Sequence, residues 1–409
     1  MRFGPTSLQT SKILAKGQRR AAFRTSLRVS EQVFAGEVSY MVKVPESNDY
    51  YRFTPYEYEL IQLFDGTRTP AEVSQEISAR YPDSPFSEQS ALEYLDKVDQ
   101  NLFERSQEER NLAVLEKIRQ ERKGRAERSN MFYFVVHSWE SDKFLDRVYP
   151  YLRWMFTPAF VTFCVILFAV MAGLIATDYS RIQQDTVNFY RDMYDSWYNF
   201  WIFWVLMFFV IGLHEMGHGL TCKHFGGEVP HMGMMFIYFN PAFYTDVTDM
   251  CLFDKRGKRL WTIFAGLWTE MILCSFASLA WYFSRPGSML NVAGYQVLLF
   301  TGISALFFNL NPFIKFDGYY ALSTYLEIEG LSESSNQYLW VWIRKNILRH
   351  AVEMPPATRR RRRILLGYSA LALMYRALAI TIFLLFLRSI FVSRFGGTAG
   401  NLLTVGLLY

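Results

Sequence analysis

Between Met155 and Thr177 the chain runs 23 residues without a charged side chain. That length is close to the roughly 20 residues a helix needs to cross a bilayer. Further apolar stretches follow at Trp197–Leu213, Leu260–Phe283, Met289–Phe308 and Ile364–Leu387. The third and fifth each hold one ionisable group, Glu270 and Arg376. A backbone in hydrocarbon must satisfy its polar groups internally, so these stretches predict helices. The composition of the whole chain hides this. Of the first 150 residues 45 are charged, against 36 of the remaining 259. The expected fold is therefore mainly α. It is a polytopic helical membrane protein of five to six spans, with a charge-rich N-terminal part in water.

Lys and Arg set the orientation expected of such a chain. The 178–196 loop holds two basic residues and 284–288 holds one, whereas 222–259 holds five and 315–363 nine. With five spans, every basic loop lies on the side of the N-terminus. The expected location is a bacterial cytoplasmic membrane, with the N-terminus and the 214–218 region toward the cytoplasm. A sixth, partial segment is expected near 398–409. Met232–Tyr244 is apolar but too short to span as a helix, and Asn240-Pro241 interrupts it. An extended or re-entrant segment packed against protein suits it. The four cysteines at 164, 222, 251 and 274 form no C-x-x-C pair, which predicts reduced thiols. A net charge of +5 with no recognition motif gives no reason to expect nucleic acid.

Residues 1–30, with seven basic residues and no acidic one, read as a flexible arm. Residues 31–103 read as a small folded domain. Val38, Tyr40, Val42 and Val44 alternate as in a half-buried strand, and Tyr50–Phe53 is its expected partner. Thr54-Pro55-Tyr56-Glu57 and Thr69-Pro70-Ala71-Glu72 are two capping boxes with proline at the first helical position. A third helix is expected over 87–103. Two strands and three helices make a winged-helix-like α+β unit. The stretch from Tyr50 to Pro82, and above all Leu63-Phe64-Asp65-Gly66-Thr67-Arg68-Thr69, is similar to PqqD-like domains. That resemblance implies recognition of a ribosomally made peptide, added as a strand beside the sheet. Residues 104–150 read as a charged linker helix and membrane approach, and 151–409 as the membrane-embedded domain.

His214-Glu215-Met216-Gly217-His218 closes the second apolar stretch. On a helix, positions i and i+4 share a face, so two imidazoles can grip one Zn²⁺ with the glutamate between them as general base. Ionisable groups at membrane depth are costly and default to function. Zinc needs a third protein ligand, and two candidates exist. His224 has the spacing of HExxHxxGxxH, but Thr221 stands where that motif has glycine. Asp317 lies in Asn309-Leu310-Asn311-Pro312-Phe313-Ile314-Lys315-Phe316-Asp317-Gly318, after the fourth stretch and at the same expected depth as His214. HExxH on one membrane helix with N-x-x-P-x-x-x-x-D-G opening another resembles the site-2 protease family of intramembrane zinc metallopeptidases. The family's intervening A-G-P-x-x-N motif is altered here to Ala265-Gly266-Leu267-Trp268-Thr269-Glu270.

The resemblance implies His214, His218 and Asp317 as metal ligands and Glu215 as the catalytic base. It implies Asn309, Gly266 and Glu270 in substrate positioning. A membrane-associated or ribosomally made peptide, or a membrane protein, would be the substrate. An export or adaptor protein in the membrane would be a partner. A different class of function uses the same fold without chemistry, as a membrane component that binds or exports a peptide. An intact Glu215 argues against that class, since a scaffold needs no base. Glu270 and Arg376 fall at similar depth and are candidate partners, unless Glu270 serves the site instead.

Overall fold

The computed structural model describes residues 20–34, 36–97, 102–103, 133–195, 197–237 and 240–397. The linker helix expected within 104–129, most of the basic arm and the segment near 398–409 lie outside the described residues. The chain divides into two compact units, Met1–Gly302 and Ile303–Tyr409.

The first unit opens with an antiparallel sheet in the order β1 (Arg28–Phe34), β2 (Glu37–Val44), β3 (Asp49–Phe53). The two expected strands pair with Tyr40 opposite Phe53 and Val42 opposite Tyr51. A third strand, β1, starts within the stretch read as a flexible arm. Helices α1 (Pro55–Leu63), α2 (Pro70–Arg80) and α3 (Glu88–Lys97) follow. Both capping boxes form: Thr54 and Thr69 accept from Glu57 and Glu72 N–H, and each glutamate side chain reaches back to its cap. Val42, Val44, Leu60, Ile61, Phe64, Val73 and Ile77 form the core between sheet and helices.

β4 (Tyr133–Glu140) and α4 (Asp142–Leu152) lead toward the apolar helices. β4 was not expected, because its partner β5 (His231–Ile237) lies a hundred residues away in the chain. With β6 (Asn240–Thr245) they form a second antiparallel sheet, ordered β4-β5-β6. The short apolar segment is thus extended, as expected, and turns back as a hairpin.

Helices α5 (Pro158–Thr177), α7 (Trp197–His224), α8 (Arg256–Phe283) and α9 (Met289–Ile303) account for four of the apolar stretches. α6 (Tyr179–Asp195) occupies what reads as a loop. It is helical because one face packs: Ile182 and Phe189 join the core of Met171, Trp281 and Tyr295. It also makes polar contacts, with Asp185 accepting from the Trp281 indole at 2.8 Å and Arg181 lying 4.5 Å over the same ring. α7 and α8 cross closely at glycine. A Cβ on Gly217 would stand 2.4 Å from Thr269 Oγ1 and 2.9 Å from the Ala265 carbonyl. Small residues at such crossings let helix backbones approach.

In the second unit a π-helical turn, Ser304–Asn309, precedes α10 (Asp317–Leu326), α11 (Leu331–Asn346) and α12 (Arg359–Phe395). Tyr319, Leu331, Tyr338, Leu365 and Tyr368 form its core. Among the described residues, five helical stretches are long and apolar enough to cross a membrane: Pro158–Thr177, Trp197–His224, Arg256–Phe283, Met289–Asn309 and Arg359–Arg394. They fit a multi-pass membrane protein.

Candidate metal centre

His214 and His218 lie one turn apart on the buried face of α7, each 7% exposed. Their Nε2 atoms face each other at 3.1 Å. The other nitrogen of each ring is held. His218 Nδ1 donates to the Thr262 carbonyl at 2.8 Å. His214 Nδ1 lies 3.0 Å from the Glu270 carboxylate. A carbonyl accepts only, so His218 carries its proton on Nδ1, and an ionised Glu270 would fix His214 the same way. Two unprotonated Nε2 lone pairs then point at one another. They repel unless a cation lies between them or one ring takes a second proton. Two ligands of a tetrahedral zinc, each at about 2.0–2.1 Å, stand about 3.3 Å apart, close to the separation seen.

The space in front of these nitrogens exists because residue 266 is glycine. A Cβ there would sit 2.3 Å from His214 Nε2 and 2.5 Å from His218 Nε2. Any side chain on α8 at this point would fill the position where an ion binds. The buried lone pairs, the Nδ1 partners and this cradle together fit a zinc ion. Outer partners of this kind are the usual means of orienting metal-ligating histidines.

Glu270 is 2% exposed and turned to His214. Within the second unit, Arg376 donates to the Ala372 carbonyl at 3.2 Å and Asn336 at 3.4 Å. His224, the alternative third ligand, has partners of its own. Its Nδ1 bonds the Tyr149 hydroxyl at 2.9 Å and its ring stacks on Phe156 at 4.3 Å. Asp246 bonds the backbone and hydroxyl of Thr248, and Asp249 is held by Lys43. Glu215, between the two histidines, is half-buried. Its carbonyl accepts from Thr245 Oγ1 of β6 at 3.1 Å, which ties the hairpin to the histidine helix.

In the second unit, Asn309 ends the π-helical turn and Asp317 begins α10. The loop between them is held by Asn311 within it and by Tyr368 of α12. Asn311 Oδ1 accepts from Phe313 N–H at 2.9 Å, and Tyr368 donates to the Pro312 carbonyl at 3.0 Å. Gly318 is needed because a Cβ there would lie 2.8 Å from the Asn309 carbonyl. The N-x-x-P-x-x-x-x-D-G pattern is therefore one compact loop that carries Asn309 and Asp317 together. Asn309 Nδ2 donates to Ser304 Oγ at 3.3 Å. Asp317, at the head of α10, is the carboxylate that the sequence pattern offers as third ligand.

Sequence reasoning named His214, His218 and Glu270 but missed Thr262, whose contribution is a backbone carbonyl and leaves no mark in the side chain. It gave Gly266 to substrate positioning; a Cβ at that position would meet both imidazoles.

A protein of Bacillus subtilis (strain 168), YydH, provisionally named a peptide zinc metalloprotease, is 30% identical over 142 residues. The match covers 34% of this chain and 54% of that protein, so it spans about half the length of the curated relative. This distant likeness supports a relationship to zinc metallopeptidases. No family model matches the chain, and no solved structure matches it significantly.

Proposed function

We propose that the protein is a zinc-dependent endopeptidase that works within the membrane. Its substrate is a membrane-associated or ribosomally made peptide, brought by the N-terminal domain. The observation that carries this reading is the paired Nε2 lone pairs 3.1 Å apart, in front of a glycine that keeps their space clear. The HExxH pattern and the name of the distant relative agree with it.

In this reading His214, His218 and Asp317 hold the ion. Zinc, when bound, polarises a carbonyl and acidifies water. The Thr262 carbonyl and Glu270 keep the two imidazoles in the tautomer that leaves Nε2 free to bind. Glu215 takes a proton from water and returns it to the leaving amide nitrogen. Asn309 offers an N–H to the oxygen on which charge develops. A helical substrate hides its scissile carbonyl in an i→i−4 bond, so it must be extended before it is cut. β6 is an edge of its sheet among the described residues and runs beside α7. An extended peptide can pair there by strand addition. The active site and N-terminus then face the cytoplasm, where the basic loops concentrate.

Reconstituted protein, wild type against Glu215→Gln, tests the reading with a candidate peptide and mass spectrometry of the products. Cleavage by wild type and none by a mutant that retains zinc is the expected result. Equal product from both would sink it.

A further inference from the structure

The β1–β3 sheet buries both faces of its central strand. Val42 and Val44 face the helices of the N-terminal core, as alternation requires. The opposite face should meet water, yet Met41 is 5% and Lys43 0% exposed. That face is covered by the turn Thr248–Leu252, which follows β6. Lys43 Nζ donates to Asp249 Oδ1 at 2.5 Å and Glu228 Oε2 at 2.7 Å. Tyr50 of β3 donates to the same Asp249 oxygen at 2.6 Å, and Arg28 of β1 pairs with Glu228 at 2.7 Å. Gln32 joins them, bonding the Cys251 carbonyl at 2.5 Å and accepting from Arg259 of α8 at 2.7 Å. Burial holds the Tyr50 phenol well above its ordinary pKa, so it stays a donor.

Glu228 and Asp249 flank the hairpin: one precedes β5 and the other follows β6. The Glu228 N–H donates to Asp249 Oδ2 at 2.7 Å, and Asp246 N–H to the His231 carbonyl at 2.9 Å, which close the hairpin at its base. The far side of this base is the Thr245–Glu215 bond. A chain of short contacts thus runs from β2 through Lys43 and Asp249 to β6, and from Thr245 to the helix of the histidine pair. A buried ion pair loses much of its hydration, and removing one partner strands the other, so the joint holds only while both are present.

We infer that Lys43, with Tyr50, is a positioning residue for the β5–β6 hairpin. The N-terminal domain is a fixed part of the site's framework rather than a module on a tether, and what binds its sheet bears directly on the hairpin. The bearing on catalysis rests on the peptidase reading; the bearing on the hairpin does not.

Hydrogen–deuterium exchange of the full-length protein tests this without any substrate. In Lys43→Met, amides of Met232–Met235 should exchange about tenfold faster, with those of α5 unchanged. Tyr50→Phe removes only a hydroxyl and should give a smaller rise at the same amides. Lys43→Met/Asp249→Asn leaves no stranded charge and should exchange no faster than Lys43→Met alone. Wild-type exchange at Met232–Met235 in both single variants would overturn the inference. If Lys43→Met exchanges faster throughout, α5 included, it has unfolded, and Tyr50→Phe decides by the same criterion. Where Glu215-dependent cleavage is found, zinc-loaded Lys43→Met should turn over about tenfold more slowly. Loss of cleavage dependence on Glu215 would remove the peptidase reading while leaving the exchange result to stand or fall alone.

Discussion

Replacing Gly266 by alanine adds one methyl group at the tightest point of the metal centre. The new Cβ would lie 2.3 Å from His214 Nε2 and 2.5 Å from His218 Nε2. An ordinary contact needs about 3.4 Å or more, so the rings or the helix must yield by about 1 Å. The rings are held at their far nitrogens by Glu270 and the Thr262 carbonyl, and cannot swing without breaking those contacts. Zinc ligand distances tolerate about 0.2 Å. The expected loss of metal affinity is at least about 100-fold, or about 2.7 kcal/mol. The fold should survive. Alanine in a helix interior gains about 1 kcal/mol over glycine, which offsets part of an overpacking cost of about 1–3 kcal/mol. Gly212, on the same helix as the histidines, is the control: a Cβ there meets nothing within 4 Å. Elemental analysis of the detergent-purified proteins, with a chelator competition, reads the result alongside helicity by circular dichroism. Gly266→Ala should be helical and zinc-free, and Gly212→Ala helical and zinc-loaded. Equimolar zinc at wild-type affinity in Gly266→Ala would refute the cradle.

Three further outcomes follow from the same geometry. Glu270→Gln keeps the shape beside His214 Nδ1 but removes the charge, so chelator competition should show zinc held about 10–100-fold more weakly, with helicity unchanged. Gly217→Ala should push α7 from α8, since its methyl meets Thr269 and the Ala265 carbonyl, and the thermal midpoint should fall by several degrees. In the N-terminal domain, the Thr67 hydroxyl and N–H, with Arg68, hold the Asp65 carboxyl down at about 2. A lowered carboxyl stabilises the fold above its unfolded pKa of about 3.9, and that stability is lost as pH falls from about 4 toward 2. Asp65→Asn should therefore flatten the acid-induced rise in exchange across α1 and α2.

How much of this was legible in the sequence depends on how far apart the interacting groups lie in the chain. The two threonine caps and their glutamates are three residues apart, so α1 and α2 were placed from text alone. The long apolar helices were equally plain, because an apolar run of that length satisfies its own backbone hydrogen bonds as a helix. α6 escaped: its apolar face is narrow and its partner Trp281 lies 96 residues from Asp185. β4 escaped for the same reason, with its ladder supplied by β5. The site divides along the same line. His214, Glu215 and His218 announce themselves by spacing on one turn, but the reason for Gly266 appears only when α8 is laid across α7.

Lys43 is the extreme case. In the pattern Val38, Tyr40, Val42, Val44 it falls on the face that alternation assigns to water, where a lysine is ordinary. Its partner Asp249 is 206 residues away and reads as part of an exposed loop. Nothing local distinguishes a solvated lysine from one that is fully buried. The difference is made by the hairpin, whose base brings Glu228 and Asp249 together and so creates a place where a cation is needed. A charged residue on the outer face of a short strand therefore carries the connection between two parts of the chain that the sequence alone treats as separate domains. The same residue would be the natural choice of a surface-charge substitution, and that substitution should loosen the hairpin beside the histidine pair.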